Sequence, residues 1–130
     1  MICGMTNIVY YSEEFKKSLK PLAKKYLSIK ETIKTLENDL IINPFLGESY
    51  GDGIYKIRIS DKSKGKGKSG GFRILYYILK ERSLRIEMVL ITIFDKSERE
   101  TYSKKSAKIL RDIAIESVNL IKRKEDNSND

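Results

Sequence analysis

The chain has 130 residues, 40% of them hydrophobic, with 26 Lys+Arg against 18 Asp+Glu and a formal net charge of +8. That length and apolar content suit one domain over residues 1–130 with a core of its own, and exclude a wholly disordered chain. A single cysteine, Cys3, and no histidine exclude an internal disulfide, the usual Cys/His zinc sites, and catalysis by a histidine base or a Cys-His pair.

The first residues, Met-Ile-Cys-Gly-Met, lack the basic start and apolar stretch of a signal peptide. No apolar run approaches the ~18–20 residues that span a bilayer. The expectation is a cytoplasmic protein with no membrane partner, in which Met5 offers a second start. Residues 1–6 and 124–130 are expected to be flexible. Asn7 to Tyr11 is β-branched and aromatic, a first strand. Ser12 offers an N-cap and Glu13 and Glu14 suit a helix start, with Phe15, Leu19, Leu22 and Tyr26 at helical spacing. Pro21 predicts a kink or restart. Ser28-Ile-Lys-Glu31 is a capping-box pattern, followed by the stripe Ile33, Leu36 and Leu40 until Asn43-Pro44 stops the helix.

Phe45 to Gly53 carries three glycines and reads as loop. Ile54 to Ser60 alternates, with Tyr55, Ile57 and Ile59 on one side and Lys56 and Arg58 together on the other. After Asp61, the segment to Gly71 contains only Gly, Lys and Ser. Phe72 to Lys80 and Ile86 to Phe94 are nearly continuous apolar runs, suited to central strands covered on both faces, with Glu81-Arg82-Ser83 as their hairpin. Ser97-Glu-Arg-Glu100 predicts a second capped helix, carrying Ala107, Leu110, Ile113, Ala114, Val118 and Ile121. Lys122 to Lys124 complement its negative end, and Asp126 to Asp130 should fray. The class is α+β: a small antiparallel sheet flanked by an N-terminal helical hairpin and a C-terminal helix, in the order β-α-α-β-β-β-α.

The net charge is local. Residues 56–85 hold ten basic side chains against Asp61 and Glu81, and the segments on either side are balanced. Gly65 to Gly70 matches GxGxxG, but a strand follows where a dinucleotide fingerprint opens a helix. Gly67-Lys68-Ser69 ends like a Walker A motif, yet the glycine required five residues earlier is Lys62. What remains is a hairpin arm with Lys62, Lys64, Lys66 and Lys68, continuous with Lys56, Arg58 and Arg73. Such a focused basic patch attracts nucleic acid. Arg73 within an apolar strand is harder to explain as packing than as function, because a buried guanidinium without a partner is expensive.

Tyr55 to Ser60, the arm Lys64 to Gly71, Phe72-Arg-Ile-Leu-Tyr-Tyr77 and Ile91 to Glu98 resemble the RelE/HigB family of toxins, in the family's element order over roughly residues 7–115. The long Gly-Lys arm before Gly-Phe-Arg points to the HigB-like branch. The resemblance implies a RelE-like fold and the toxin of a type II toxin–antitoxin module. Such a toxin is a ribosome-dependent mRNA endonuclease that acts without metal or cofactor and inhibits translation. Its implied partners are the ribosome, mRNA and a cognate antitoxin, typically of helix-turn-helix type. In this chemistry the ribose 2′-hydroxyl attacks the adjacent phosphate and the 5′-oxygen leaves. It needs a base, cations around the phosphorane and an acid.

Carried onto this chain, the catalytic positions are Lys56, Arg58, Arg73, Lys96 and Tyr102. The basic pair lies on the first toxin strand, the arginine follows the Gly pair, Lys96 is an acid or phosphate clamp, and Tyr102 can stack on a base. Lys62, Lys64, Lys66 and Lys68 are the expected RNA- and ribosome-binding arm. A lysine base needs its pKa lowered by about 2–3 units. The alternative is that positioning of the mRNA by the ribosome dominates. Glu98 is a further candidate base, with a structural place at a helix start as its simpler explanation. The alternatives from other classes are a ParE-like inhibitor of DNA gyrase and a non-catalytic RNA- or ribosome-binding module.

Overall fold

The two long apolar runs pair with each other. In the computed structural model, which describes residues 6–64, 71–82, 85–98 and 101–128, they form the centre of a five-stranded sheet. The elements are β1 (Ile8–Tyr11), α1 (Glu13–Lys25), α2 (Ile29–Ile42), β2 (Glu48–Gly51), β3 (Ile54–Ile59), a 3₁₀ turn (Lys62–Lys64), β4 (Phe72–Arg82), β5 (Arg85–Asp95) and α3 (Lys104–Ser128). Residues 1–5, which include Cys3 and Met5, lie outside the described set, as do Lys66 and Lys68 of the arm.

The sheet order is β1-β5-β4-β3-β2. The sheet is mixed, not antiparallel, because β1 lies parallel to β5 with Ile8 opposite Glu87 and Tyr11 opposite Leu90. After β1 the chain crosses one face as α1 and α2 and reaches the far edge. The β2–β5 meander then returns to β1, so path and not hairpin geometry sets that last pairing. β2 is a strand where the glycines of 45–53 predicted loop. Its register with β3 sets Glu48 opposite Lys56.

Alternation along the central strands makes two cores. Ile57 and Ile59 of β3, Phe72, Ile74 and Tyr76 of β4, and Met88, Leu90 and Ile93 of β5 face α1 and α2 and meet Phe15, Ile29, Ile33 and Leu40. Ile54, Leu75, Val89, Ile91 and Phe94 face the other way, under Ala107, Ala114 and Val118 of α3. Burying each large side chain contributes about 1.5–3 kcal/mol. Ile113, expected in the α3 stripe, is 48% exposed.

Helix caps depart from local signals where a carboxylate intervenes. Ser12 caps α1 as expected, accepting from the Phe15 amide at 3.0 Å, and α1 runs through Pro21 without restarting. Ser28 precedes α2, but its side chain makes no cap bond. Its hydroxyl donates to Asp61 at 2.8 Å instead. Ser97 likewise donates to Asp95 at 2.8 Å, and α3 begins only at Lys104. There Ser103 accepts from the Ser106 amide at 3.1 Å. α3 continues through Ser128, past the expected fraying point at Asp126. No helix among the described residues is long and apolar enough to cross a membrane.

Asp61 is the buried polar node at the root of the arm, 6% exposed. It accepts from the hydroxyls of Ser28, Thr32 and Ser63 and from the Ser63 amide. Burial alone would raise its pKa, but these hydrogen bonds outweigh burial and hold the carboxyl below its ordinary value. A depressed folded-state pKa gives stability that is complete above the unfolded value near ~3.9 and is lost as pH falls through the folded value. Urea midpoints of the wild type should therefore drop below about pH 4, and Asp61→Asn should flatten that drop. Equal acid dependence in the two proteins would show that Asp61 is not the group responsible.

Candidate nucleic-acid interface

The α3-facing side of the sheet is apolar at one end and cationic at the other. On β3, Ile54 is followed at the same parity by Lys56 and Arg58. On β4, Arg73 shares the parity of Leu75. β5 would break the pattern, because Val89 and Ile91 lead by twos to Asp95. A bulge corrects it. Leu75 pairs with Thr92 and Tyr76 with Leu90, leaving Ile91 as the extra residue. Beyond it Thr92, Phe94 and Lys96 take the α3-facing parity, while Asp95 turns the other way and accepts from the Tyr26 hydroxyl at 3.4 Å.

The result is an open basin of about 510 Å³ lined by Glu48, Lys56, Arg58, Arg73, Lys96 and Thr101. All four basic residues singled out from the sequence as catalytic are therefore brought together. Tyr102 lies beside the basin and not among its lining residues. It precedes α3, is half-buried, and sets its ring edge-on against Phe94 at 5.2 Å. Of the arm, Lys62 is exposed in the 3₁₀ turn and Lys64 closes that turn. Glu98 is exposed and lines a different cleft, with Pro21 and Lys25 of α1. Its place is a turn, with its amide donating to the Asp95 carbonyl at 3.0 Å.

Arg73 is only 5% exposed and stands directly opposite Arg58 in the β3–β4 register. Burial, and then the Arg58 charge, push its guanidinium below the ordinary pKa, though an arginine stays protonated. One Nη bonds the Phe72 carbonyl at 3.4 Å. Gly71 makes the approach to this site, with φ +58 and no room for a side chain: a Cβ there would meet the Ile59 carbonyl oxygen at 2.6 Å. Its own carbonyl accepts from the Lys96 amide at 3.2 Å, which ties the last cation to the strand that carries Arg73.

Three further residues shape the rim. Glu48 and Thr101 line the basin, and Tyr50 carries Lys56 over its ring at 5.0 Å and Lys104 at 5.9 Å. The Tyr50 hydroxyl donates to the Tyr102 carbonyl and lies 3.2 Å from the Thr101 hydroxyl, joining β2 to the segment before α3. Buried Tyr76 holds the start of β2. Its hydroxyl donates to the Pro44 carbonyl at 3.0 Å and accepts from the Gly47 amide at 2.9 Å. A Cβ at Gly47 would meet the Lys56 carbonyl oxygen at 2.9 Å, so only glycine lets the strand lie this close. No sequence signal named Glu48, because only the β2–β3 register brings it opposite Lys56.

Four cations around one carboxylate suit a multiply charged anion whose oxygens converge on a point, as those of a phosphodiester do. Among the described residues no group of three or more Cys, Asp or Glu side chains is placed to hold a metal ion. The basin costs stability, since like charges directly opposite across a sheet repel. Replacing Arg58 with Gln should raise the unfolding free energy by up to about 1 kcal/mol, with a smaller gain at high salt. A destabilised Arg58→Gln protein at low salt would contradict this.

Comparison with known proteins agrees with this architecture. Residues 7–127 match the model of the RelE family, described as the RelE toxin of the RelE/RelB toxin–antitoxin system. The structure of an E. coli RelE toxin mutant in the free state superposes with a TM-score of 0.54 at 20% identity, covering 80% of this chain and 98% of that one.

Proposed function

Because the chain belongs to the RelE toxin family of toxin–antitoxin systems, we propose that it is a ribosome-dependent endoribonuclease whose reacting floor is the cation basin. The observation that carries this reading is the convergence of Lys56, Arg58, Arg73 and Lys96 on one open concavity. An anti-gyrase protein or a passive RNA-binding module needs positive surface but no such convergence. The Gly-Lys arm between the 3₁₀ turn and β4 fits the HigB-like branch of the family. It serves as a docking arm for ribosomal RNA, adding affinity without chemistry.

In the proposed reaction the mRNA lies across the basin with the scissile phosphate over Arg58 and Arg73. Their guanidinium forks hold the two non-bridging oxygens and take up the charge that grows as the 2′-oxygen bonds to phosphorus. Glu48, facing Lys56 across the β2–β3 ladder, accepts the 2′-hydroxyl proton. Lys56 orients that carboxylate and is itself held over the Tyr50 ring. Lys96 gives a proton to the departing 5′-oxygen. Tyr102, half-exposed next to Thr101, stacks on a base at the rim. The products are a 2′,3′-cyclic phosphate and a 5′-hydroxyl, and no metal or cofactor takes part. The ribosome supplies what the isolated chain lacks, a message strand held in line for attack. The cognate antitoxin that the family implies then acts by denying the toxin this encounter.

The test is cleavage mapping on programmed ribosomes. Arg73→Ala should slow cleavage by about 10²–10³-fold, as loss of one charge-stabilising donor does. Glu48→Gln should slow it by about 10²–10⁴-fold, as loss of a general base does, with ribosome binding retained. Products ending in a 3′-hydroxyl and 5′-phosphate, or a rate indifferent to Arg73→Ala, would sink the mechanism. Full activity in Glu48→Gln would return the base to Lys56 or to positioning alone.

A further inference from the structure

A second concavity adjoins the basin across the outer edge of β3. It holds about 380 Å³, within the ~300–1,000 Å³ of sites that enclose small ring systems. Arg58 lines both spaces. Leu36 of α2, Ile57 and Ile59 of β3, and half-exposed Leu46 give the groove an apolar lining against which a ring can lie. Asp39 is the only other charged residue in that lining, and no ion pair among the described residues engages it. The strand edge adds main-chain groups. The Gly53 carbonyl accepts from the Ile78 amide at 3.1 Å. Alternation from that pair turns Tyr55, Ile57 and Ile59 toward β4, and Lys56 and Arg58 to the opposite side. β2 meets β3 no further than Lys56. Just before β2 the Leu46 amide turns back to the Asn43 carbonyl at 3.2 Å, so the ladder does not continue. The Arg58 amide and carbonyl therefore point out from an open edge beside the groove.

We propose that this groove reads a guanine base of the message, the base on the ribose whose 2′-hydroxyl attacks. The proposal rests on the endonuclease reading above. Sheet order sets which nucleotide it is. The groove opens at the β3 edge, on the side of Glu48, whereas Lys96 follows β5, two strands away. A base on the Glu48 side belongs to the nucleotide 5′ of the cut. Guanine fits by its complement of polar groups. The Arg58 amide is one donor, and the Arg58 carbonyl and the Asp39 carboxylate are two acceptors. The pairing edge of guanine answers with one acceptor, O6, and two donors, N1–H and the 2-amino group. The pairing edges of adenine, cytosine and uracil carry a single donor group each. The Thr35 hydroxyl, also in the lining, either donates or accepts and does not discriminate. A phosphate is repelled by Asp39. A peptide strand would find one outward-facing residue, Arg58, which is too short an edge for strand addition.

The test varies message and protein together. Programmed ribosomes carry decoding-site codons with guanine, inosine, adenine, cytosine or uracil 5′ of the cut, inosine lacking only the 2-amino group of guanosine. Wild type should cleave after guanine about tenfold faster than after adenine, cytosine or uracil, and about fivefold faster than after inosine. Asp39→Ala, at an exposed helix position, should bring the guanine and inosine rates within about twofold of each other. Equal rates at all bases, a preference that follows the nucleotide 3′ of the cut, or a guanine–inosine ratio that survives Asp39→Ala would overturn the proposal. Failure of the endonuclease reading shows separately, as no cleavage by wild type at any codon. The groove is then tested by NMR titration of the free protein with guanosine, inosine and uridine monophosphates. The Arg58 amide resonance should shift saturably with guanosine monophosphate, and inosine monophosphate or Asp39→Ala should weaken that binding about fivefold. Equal affinity for all three nucleotides would mean a phosphate in the basin alone and would overturn the proposal. So would an extended peptide that shifts the Arg58 amide while no nucleotide does.

Discussion

The pairing of β4 with β5, and the extra residue at Ile91 beside the basin, is the constraint on which the site depends. From Phe72 to Tyr76 and from Met88 to Asp95 both strands are buried, so each side chain there is committed to one face of the sheet or the other. Parity therefore decides chemistry. Without the bulge, Asp95 would point toward the basin and Lys96 away from it. With it, Asp95 goes to the α1 side and meets Tyr26, and Lys96 joins Arg73. The same step lets Ile91 and Phe94 fill the α3-side core together, so the apolar packing that stabilises the fold also fixes which charge faces the solvent.

The cost of the site is carried by the same sheet. Arg58 and Arg73 oppose each other across a ladder, with Arg73 almost fully buried. A sequence selected only for stability would place an opposite charge or an apolar pair there. The hydrophobic contacts of two cores offset the repulsion, and Asp61, Tyr76 and the glycines at 47 and 71 hold the backbone where the cations converge. Asp61, Gly47 and Gly71 lie at strand ends, and Tyr76 reaches one through its hydroxyl.

Much of this was legible in the residues. Strict alternation from Ile54 to Ser60 put Lys56 and Arg58 on one face, and Arg73 stood out as a guanidinium inside an apolar run. Lys96 needed the family resemblance, since counting by twos along β5 selects Asp95. β2 was hidden because Gly47, Gly51 and Gly53 signal loop while a four-residue edge strand carries little apolar pattern, and Glu48 was hidden with it. Ser28 does mark the start of α2, but neither it nor Ser97 caps a helix with its side chain. Ser28 and Ser97 each donate their hydroxyl to a buried carboxylate, Asp61 or Asp95, a strong charged acceptor, and the side chain is turned toward it instead of toward a helix start. The Ser28 contact reaches across 33 residues, which no local window contains, whereas Ser97 meets Asp95 only two residues earlier.

The most direct measurement is a structure of the protein held on a ribosome whose decoding-site mRNA carries 2′-O-methyl riboses, so that binding proceeds and cleavage does not. The scissile phosphate should lie in the basin, with a non-bridging oxygen within about 3 Å of the Arg58 or Arg73 guanidinium and the 5′-oxygen on the Lys96 side. An mRNA strand that runs along the outer face of α1 or of α3, with the basin turned to solvent, would contradict the account.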